Sequence, residues 1–160
     1  MDISELIKKK TVIVGVGNPL KGDDGAGVLI VEKLMEKINS DKIEFFVVEE
    51  AIENYLGKIE RLNPDTVIIF DAVDFGGEKG EIKFFKPDDI MNISTTTHSF
   101  SLPDLLKIYN LIPKSVIVGI QPAKISFGEE MCQEVKKGVE KIVTLFIEHI
   151  NKRENGQNKN

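Results

Sequence analysis

Three short, mostly β-branched apolar runs constrain this chain more than anything else in it: Thr11-Val12-Ile13-Val14-Gly15-Val16, Thr66-Val67-Ile68-Ile69-Phe70-Asp71 and Ser115-Val116-Ile117-Val118-Gly119-Ile120. None alternates apolar with polar residues, the pattern of strands covered on both faces. Segments of helical period separate them. Val28, Leu29, Val31, Leu34, Met35 and Ile38 form one stripe. Ile52 to Leu62 gives a second helix, and a third starts after His98 with Leu102, Leu105, Leu106 and Tyr109. A last helix over Glu129 to Ile150 buries Val135, Val139, Ile142, Val143, Phe146, Ile147 and Ile150. Strands alternating with helices predict an α/β sandwich around a mostly parallel sheet. Ile43 to Val48 adds a strand. Gly76-Gly77 marks a reversal, and Gly80 to Phe85 then reads as a strand antiparallel to the third. Pro87 to Thr97 reads as a loop with one helical turn, Asp88-Asp89 opening it.

At 160 residues the chain fits one domain, expected over residues 1–151, with residues 152–160 a polar, disordered tail. The net charge of -5 speaks against nucleic acid as a partner, because phosphate backbones repel an acidic surface. One cysteine, Cys132, rules out an internal disulfide or a cysteine-based zinc cluster; it reads as a small apolar filler. The N-terminus lacks the basic-then-apolar order of a signal peptide, and every apolar run is shorter than a membrane span. A cytoplasmic, monomeric protein is the expectation, with no membrane partner.

Gly15-x-Gly17 after a strand invites a dinucleotide reading, but the third glycine of that fingerprint is replaced by Leu20. Gly17 to Gly22 has the opening spacing of a phosphate loop, yet Asp23 and Asp24 stand where Lys and Ser/Thr would hold phosphate. Two carboxylates there attract a cation. As local sequence, Asp23-Asp24 reads first as a helix cap, with Asp23 capping and Asp24 left for chemistry. Asp71 ends a central strand, where it is either a turn residue or an active group; Asp74 is the better turn former. His98 is either a solvated loop histidine or a metal ligand, whereas His149 belongs to a surface or a helix end. If the second strand lies on one side of the first and the third on the other, Asp24 and Asp71 face one crevice at a topological switch point. Two carboxylates and one imidazole suit nickel, zinc, iron or manganese and leave coordination positions open. No Gly-x-Ser-x-Gly elbow and no His-Glu-x-x-His is present, and Ser99 and Ser101 have no triad partners in sequence. Glu50 could rim the crevice.

Gly15-Val16-Gly17-Asn18-Pro19-Leu20-Lys21-Gly22-Asp23-Asp24-Gly25-Ala26-Gly27, Phe70-Asp71-Ala72-Val73-Asp74-Phe75-Gly76 and Thr96-Thr97-His98 resemble, in this order, the motifs of the hydrogenase maturation proteases. Gly80-Glu81-Ile82, Pro87-Asp88-Asp89-Ile90 and Gly119-Ile120-Gln121-Pro122 resemble the branch serving hydrogenase-3-type enzymes. The resemblance implies a three-layer α/β/α sandwich with a mixed, mostly parallel five-stranded sheet. It implies an endopeptidase that removes a C-terminal extension from the nickel-loaded large-subunit precursor of a nickel-iron hydrogenase. It carries the metal-binding and catalytic roles onto Asp24, Asp71 and His98, with nickel delivered by the substrate and other divalent ions able to occupy the site. Asp74 is a conceivable helper. A non-catalytic metal-sensing chaperone of the large subunit, or a small-molecule-binding α/β domain, are the competing expectations.

Overall fold

The computed structural model describes residues 2–7, 10–49, 51–90, 93 and 101–157. His98, Ser99, the threonines before them and Glu50 lie outside the described residues. A five-stranded sheet of order β2-β1-β3-β5-β4 forms the middle layer, from β1 (Thr11–Val16), β2 (Ile43–Val48), β3 (Thr66–Ala72), β4 (Ile82–Phe85) and β5 (Ser115–Ile120). The first three run parallel, Thr11 standing opposite both Ile43 and Thr66, and β5 runs parallel to β3 with Val67 opposite Ser115.

The sheet is sandwiched as its continuous apolar strands require. On one face lie α1 (Ile3–Leu6), α2 (Ala26–Lys37) and α5 (Gln133–Gln157), packed on Ile13, Ile68, Phe70, Val118 and Ile120. Phe70 meets Phe146 of α5 edge-on, with ring centroids 5.2 Å apart. On the other face α3 (Glu53–Arg61) and α4 (Leu102–Ile108) set Leu56, Ile59, Leu102 and Leu106 against Val12, Val14, Val67, Ile69 and Ile117. β1 and β3 are buried at every position, so two hydrophobic layers share one sheet.

Four details differ from the sequence expectations. β4 is antiparallel, but it pairs with β5 at the sheet edge, Phe84 opposite Val118, and not with β3. The free edge of β3 is taken by β5, and the chain from β3 crosses past β5 before returning. α5 begins at Gln133 instead of Glu129, because the Cys132 N–H is held by the Asp23 carboxylate. It also runs on to Gln157, through the stretch read as a disordered tail after residue 151, and Arg153 donates from its guanidinium to the carbonyl of Ile7. His149 therefore sits inside the helix, part-buried, with Nδ1 2.8 Å from the Leu145 carbonyl. α1, capped by the Asp2 side chain accepting from the Ser4 N–H, has no signal in the hydrophobic pattern.

Candidate active site at the switch point

The strand order reverses between β1 and β3, and the chain is led across that point by the loop after β1. Gly17 has φ +139°, and a Cβ on it would lie 1.9 Å from the Asp24 carbonyl oxygen. The second glycine of the Gly-x-Gly pair thus makes room for the chain's own loop, not for a phosphate. Asn18 Oδ1 accepts from the Leu20 N–H at 2.9 Å, turning the loop into a 3-10 helix over Gly22–Gly25 that continues into α2. A Cβ on Gly27 would lie 2.3 Å from the Phe70 carbonyl oxygen and 2.5 Å from that of Val16. Only a glycine lets the first turn of α2 sit directly on the carboxyl ends of β1 and β3.

Asp23 does not cap α2. The residue before α2 is Gly25, with no side-chain cap. The Asp23 carboxylate, fully buried, instead accepts three backbone N–H bonds from the segment between β5 and α5. Oδ2 accepts from Ala123 at 2.7 Å and Lys124 at 2.9 Å, and Oδ1 from Cys132 at 2.8 Å. Burial alone would raise its pKa; the three bonds outweigh that and hold it below the usual carboxylate value. Asp23 is a pin that ties two loops together. Cys132, expected as apolar filler, packs part-buried against the core, and its thiol pKa is raised, chiefly by burial.

Asp24 is also fully buried, its Oδ2 accepting the Asn18 N–H at 2.9 Å. Asp71, 1 % exposed near the end of β3, falls on the face covered by α3 and α4, in phase with Val67, Ile69 and Val73. Its pKa is raised well above the usual value, first by burial and second by the charge of Asp24, against a smaller opposing effect of the Ala72 N–H. The two carboxylates are therefore close enough to feel one another in a site with little water to screen them.

Asp74 is exposed and does turn work: its Oδ1 accepts from the Gly76 N–H at 3.2 Å and from Gln121 Nε2 at 3.0 Å. Gln121, buried at the end of β5, completes the clamp by accepting from the N–H groups of Phe75 at 2.9 Å and Gly77 at 3.1 Å. In the sequence Gln121 appears only within a motif, since nothing local marks a side chain that binds a loop 44 to 47 residues away. Among the described residues no three His, Cys, Asp or Glu side chains converge on one point. Asp24 and Asp71 are near enough for the charge of Asp24 to raise the pKa of Asp71. As a donor set, paired buried carboxylates fit a dication, whose charge offsets the repulsion between them, and an added imidazole moves the preference toward borderline metals.

Comparison with known proteins settles the lineage. The family model for hydrogenase maturation protease, HycI, matches residues 28–149. This chain belongs to the hydrogenase maturation protease family. Within the family it is 36% identical over 135 residues to the hydrogenase 3 maturation protease of Escherichia coli K12, spanning 82% of this chain and 85% of that protein. The crystal structure of a [NiFe] hydrogenase maturation protease HycI from Thermococcus kodakarensis KOD1 superposes with a TM-score of 0.84 at 30% identity, covering 93% of this chain and 98% of that one. The solution structure of the endopeptidase HycI from Escherichia coli gives 0.75 at 34% identity, over 84% and 87% of the two chains. The family's architecture is thus the one described above, with Asp24 and Asp71 at its switch point.

Proposed function

We propose that this family member is an endopeptidase that removes a C-terminal extension from the large-subunit precursor of a nickel-iron hydrogenase, after nickel has been inserted. The observation that carries the proposal is the pair of buried carboxylates, Asp24 and Asp71, at the β1–β3 switch point of a chain of this family. Nickel comes with the substrate. Asp24 and Asp71, joined by His98, are the residues that would complete its coordination; His98 stands shortly before α4, the helix that packs on the face carrying Asp71. Bound nickel supplies a Lewis acid for attack by water on the scissile peptide bond.

The remaining work belongs to the chain. The Asn18 N–H fixes one oxygen of Asp24, and the Ala72 N–H bonds Asp71. Burial and the charge of Asp24 favour a proton on Asp71 in the metal-free protein. Asp24 and Asp71 would hold a dication only with Asp71 ionised, so binding of a loaded precursor would be coupled to loss of that proton. A precursor without nickel leaves the proton on Asp71 and offers the pair no cation to hold, so it binds poorly, which makes cleavage a test of maturation state. The small-molecule alternative loses its main support, because Gly17 is filled by the loop itself. The chaperone alternative predicts binding without cleavage.

The test is processing by Asp24→Asn, Asp71→Asn and His98→Ala, each first checked for a native circular dichroism spectrum. Each is expected to lose processing by at least about 100-fold, the scale typical of removing a group that stabilises developing charge. Full activity in all three would end the site assignment.

A further inference from the structure

We infer that the outer side of the Asp24 loop is a docking surface for a segment of the hydrogenase large-subunit precursor that presents an apolar side chain flanked by lysine or arginine. The inference rests on the endopeptidase reading for the partner's identity. Leu20 and Phe127 are large apolar side chains left 69% and 70% exposed. They stand on the two loops that leave β1 and β5, held together by the Gly128 N–H bonding the Leu20 carbonyl at 3.0 Å, with Lys21 Nζ 4.6 Å from the centre of the Phe127 ring. Single exposed apolar residues are ordinary; a pair fixed side by side at the active end of a sheet is a contact point.

Beside them opens a cavity of about 370 Å³. Its floor includes Val28, Leu29 and Met131, and its wall is the backbone of Gly22 and Gly25, the residues on either side of Asp23 and Asp24. Whatever fills it therefore rests on the loop that carries the reactive carboxylate. Its rim is acidic: Glu32, Glu129 and Glu130, all exposed, against one lysine, Lys136. Among the described residues none of these three glutamates forms an ion pair, whereas nearby Lys33 is taken by Glu140 at 2.8 Å. An apolar floor under an acidic rim selects an apolar anchor with basic neighbours, and the excess negative charge of the chain, -5, favours approach by such a segment. Docking there uses binding energy remote from the scissile bond to hold the precursor while its nickel engages Asp24 and Asp71.

The experiment compares the wild type with two double variants, Leu20→Ser/Phe127→Ser and Glu129→Lys/Glu130→Lys. All three are checked for native circular dichroism and melting, then measured for equilibrium binding to nickel-loaded precursor and, separately, for steady-state cleavage. Both variants are expected to bind about tenfold more weakly and to show KM raised about tenfold with kcat held, since the lost contacts are the same in ground and transition states. Added salt should weaken binding by the wild type and strengthen it in the charge-reversed variant, where it screens repulsion. Cleavage with binding and KM unmoved in both variants overturns the docking surface and leaves the endopeptidase standing. Variant-sensitive binding with no cleavage by any protein keeps the surface and overturns the endopeptidase. A wild-type dimer in sedimentation that Leu20→Ser/Phe127→Ser dissociates, with precursor binding unaltered, assigns the patch to a second copy of this chain and overturns the docking surface.

Discussion

Two adjacent aspartates divide the labour of the loop after β1, and their difference lies in what meets each carboxylate. Asp23 is saturated by three backbone donors from the β5–α5 segment, whereas Asp24 shares its site with Asp71. Asp23→Ala strands those N–H groups in a tightly packed region. It should cost about 3 kcal/mol of stability, read by chemical denaturation. Asp71→Asn acts in the opposite sense, because a raised carboxylate pKa means that ionised Asp71 destabilises the metal-free fold. The substitution should abolish processing while raising the melting temperature of metal-free protein by about 2–4 °C, the shift expected per kcal/mol for a chain of this length. An unchanged or lower melting temperature would show that the burial of charge at Asp71 is not a net cost. Asp24, Asp71 and His98 are candidates from the sequence, each with a plainer alternative, but the role of Asp23 was not legible there. A carboxylate before a helix looks like a cap, and only the tertiary approach of Ala123, Lys124 and Cys132 makes it a pin.

At the scale of elements, β1, β3 and β5 were legible because their runs are mostly apolar and β-branched, β2 because Phe45 to Val48 keeps an apolar run despite Glu44, and α2, α3 and α4 because their stripes keep helical period. What was not legible depended on distant partners. The place of β4 beside β5 is a choice among sheet edges that no local pattern encodes. Both ends of α5 are set by long-range bonds, the start by Asp23 holding the Cys132 N–H and the finish by Arg153 reaching the Ile7 carbonyl. Arg153→Ala should loosen α1 from the end of α5 and lower the melting temperature by about 2–4 °C, for roughly 1 kcal/mol lost, with processing kept. The packing of α2 is stricter. Gly27→Ala places a methyl group against two strand carbonyls, so the helix must lift from the sheet and carry the Asp24 loop with it. Stability and processing should fall together, and a variant that retains both would mean that α2 does not position the loop.

For the whole molecule, pH acts on the two buried aspartates in opposite directions. Asp23 has a depressed folded-state pKa, so its contribution is present above the unfolded value of about 3.8 and is lost as pH falls through the lower folded value. Asp71 has a raised one, so its protonation favours the fold: metal-free stability declines as pH climbs from about 3.8 through the folded value of Asp71, and a bound dication removes that decline. The difference in melting temperature between Asp71→Asn and wild type should therefore widen over this rise in pH and vanish below it. In the proposed reading the same coupling would link the sheet, the loop and the precursor's metal into one recognition device, since the fold holds two carboxylates together at a site where a proton on Asp71 or a bound cation relieves their repulsion.

The measurement that bears most directly on that device is intact mass spectrometry of the large-subunit precursor after incubation with this protein, with nickel inserted and without. Loss of a C-terminal peptide from the nickel-loaded form alone is the expected result. Cleavage of both forms would contradict the nickel gate, and cleavage of neither would contradict the endopeptidase itself.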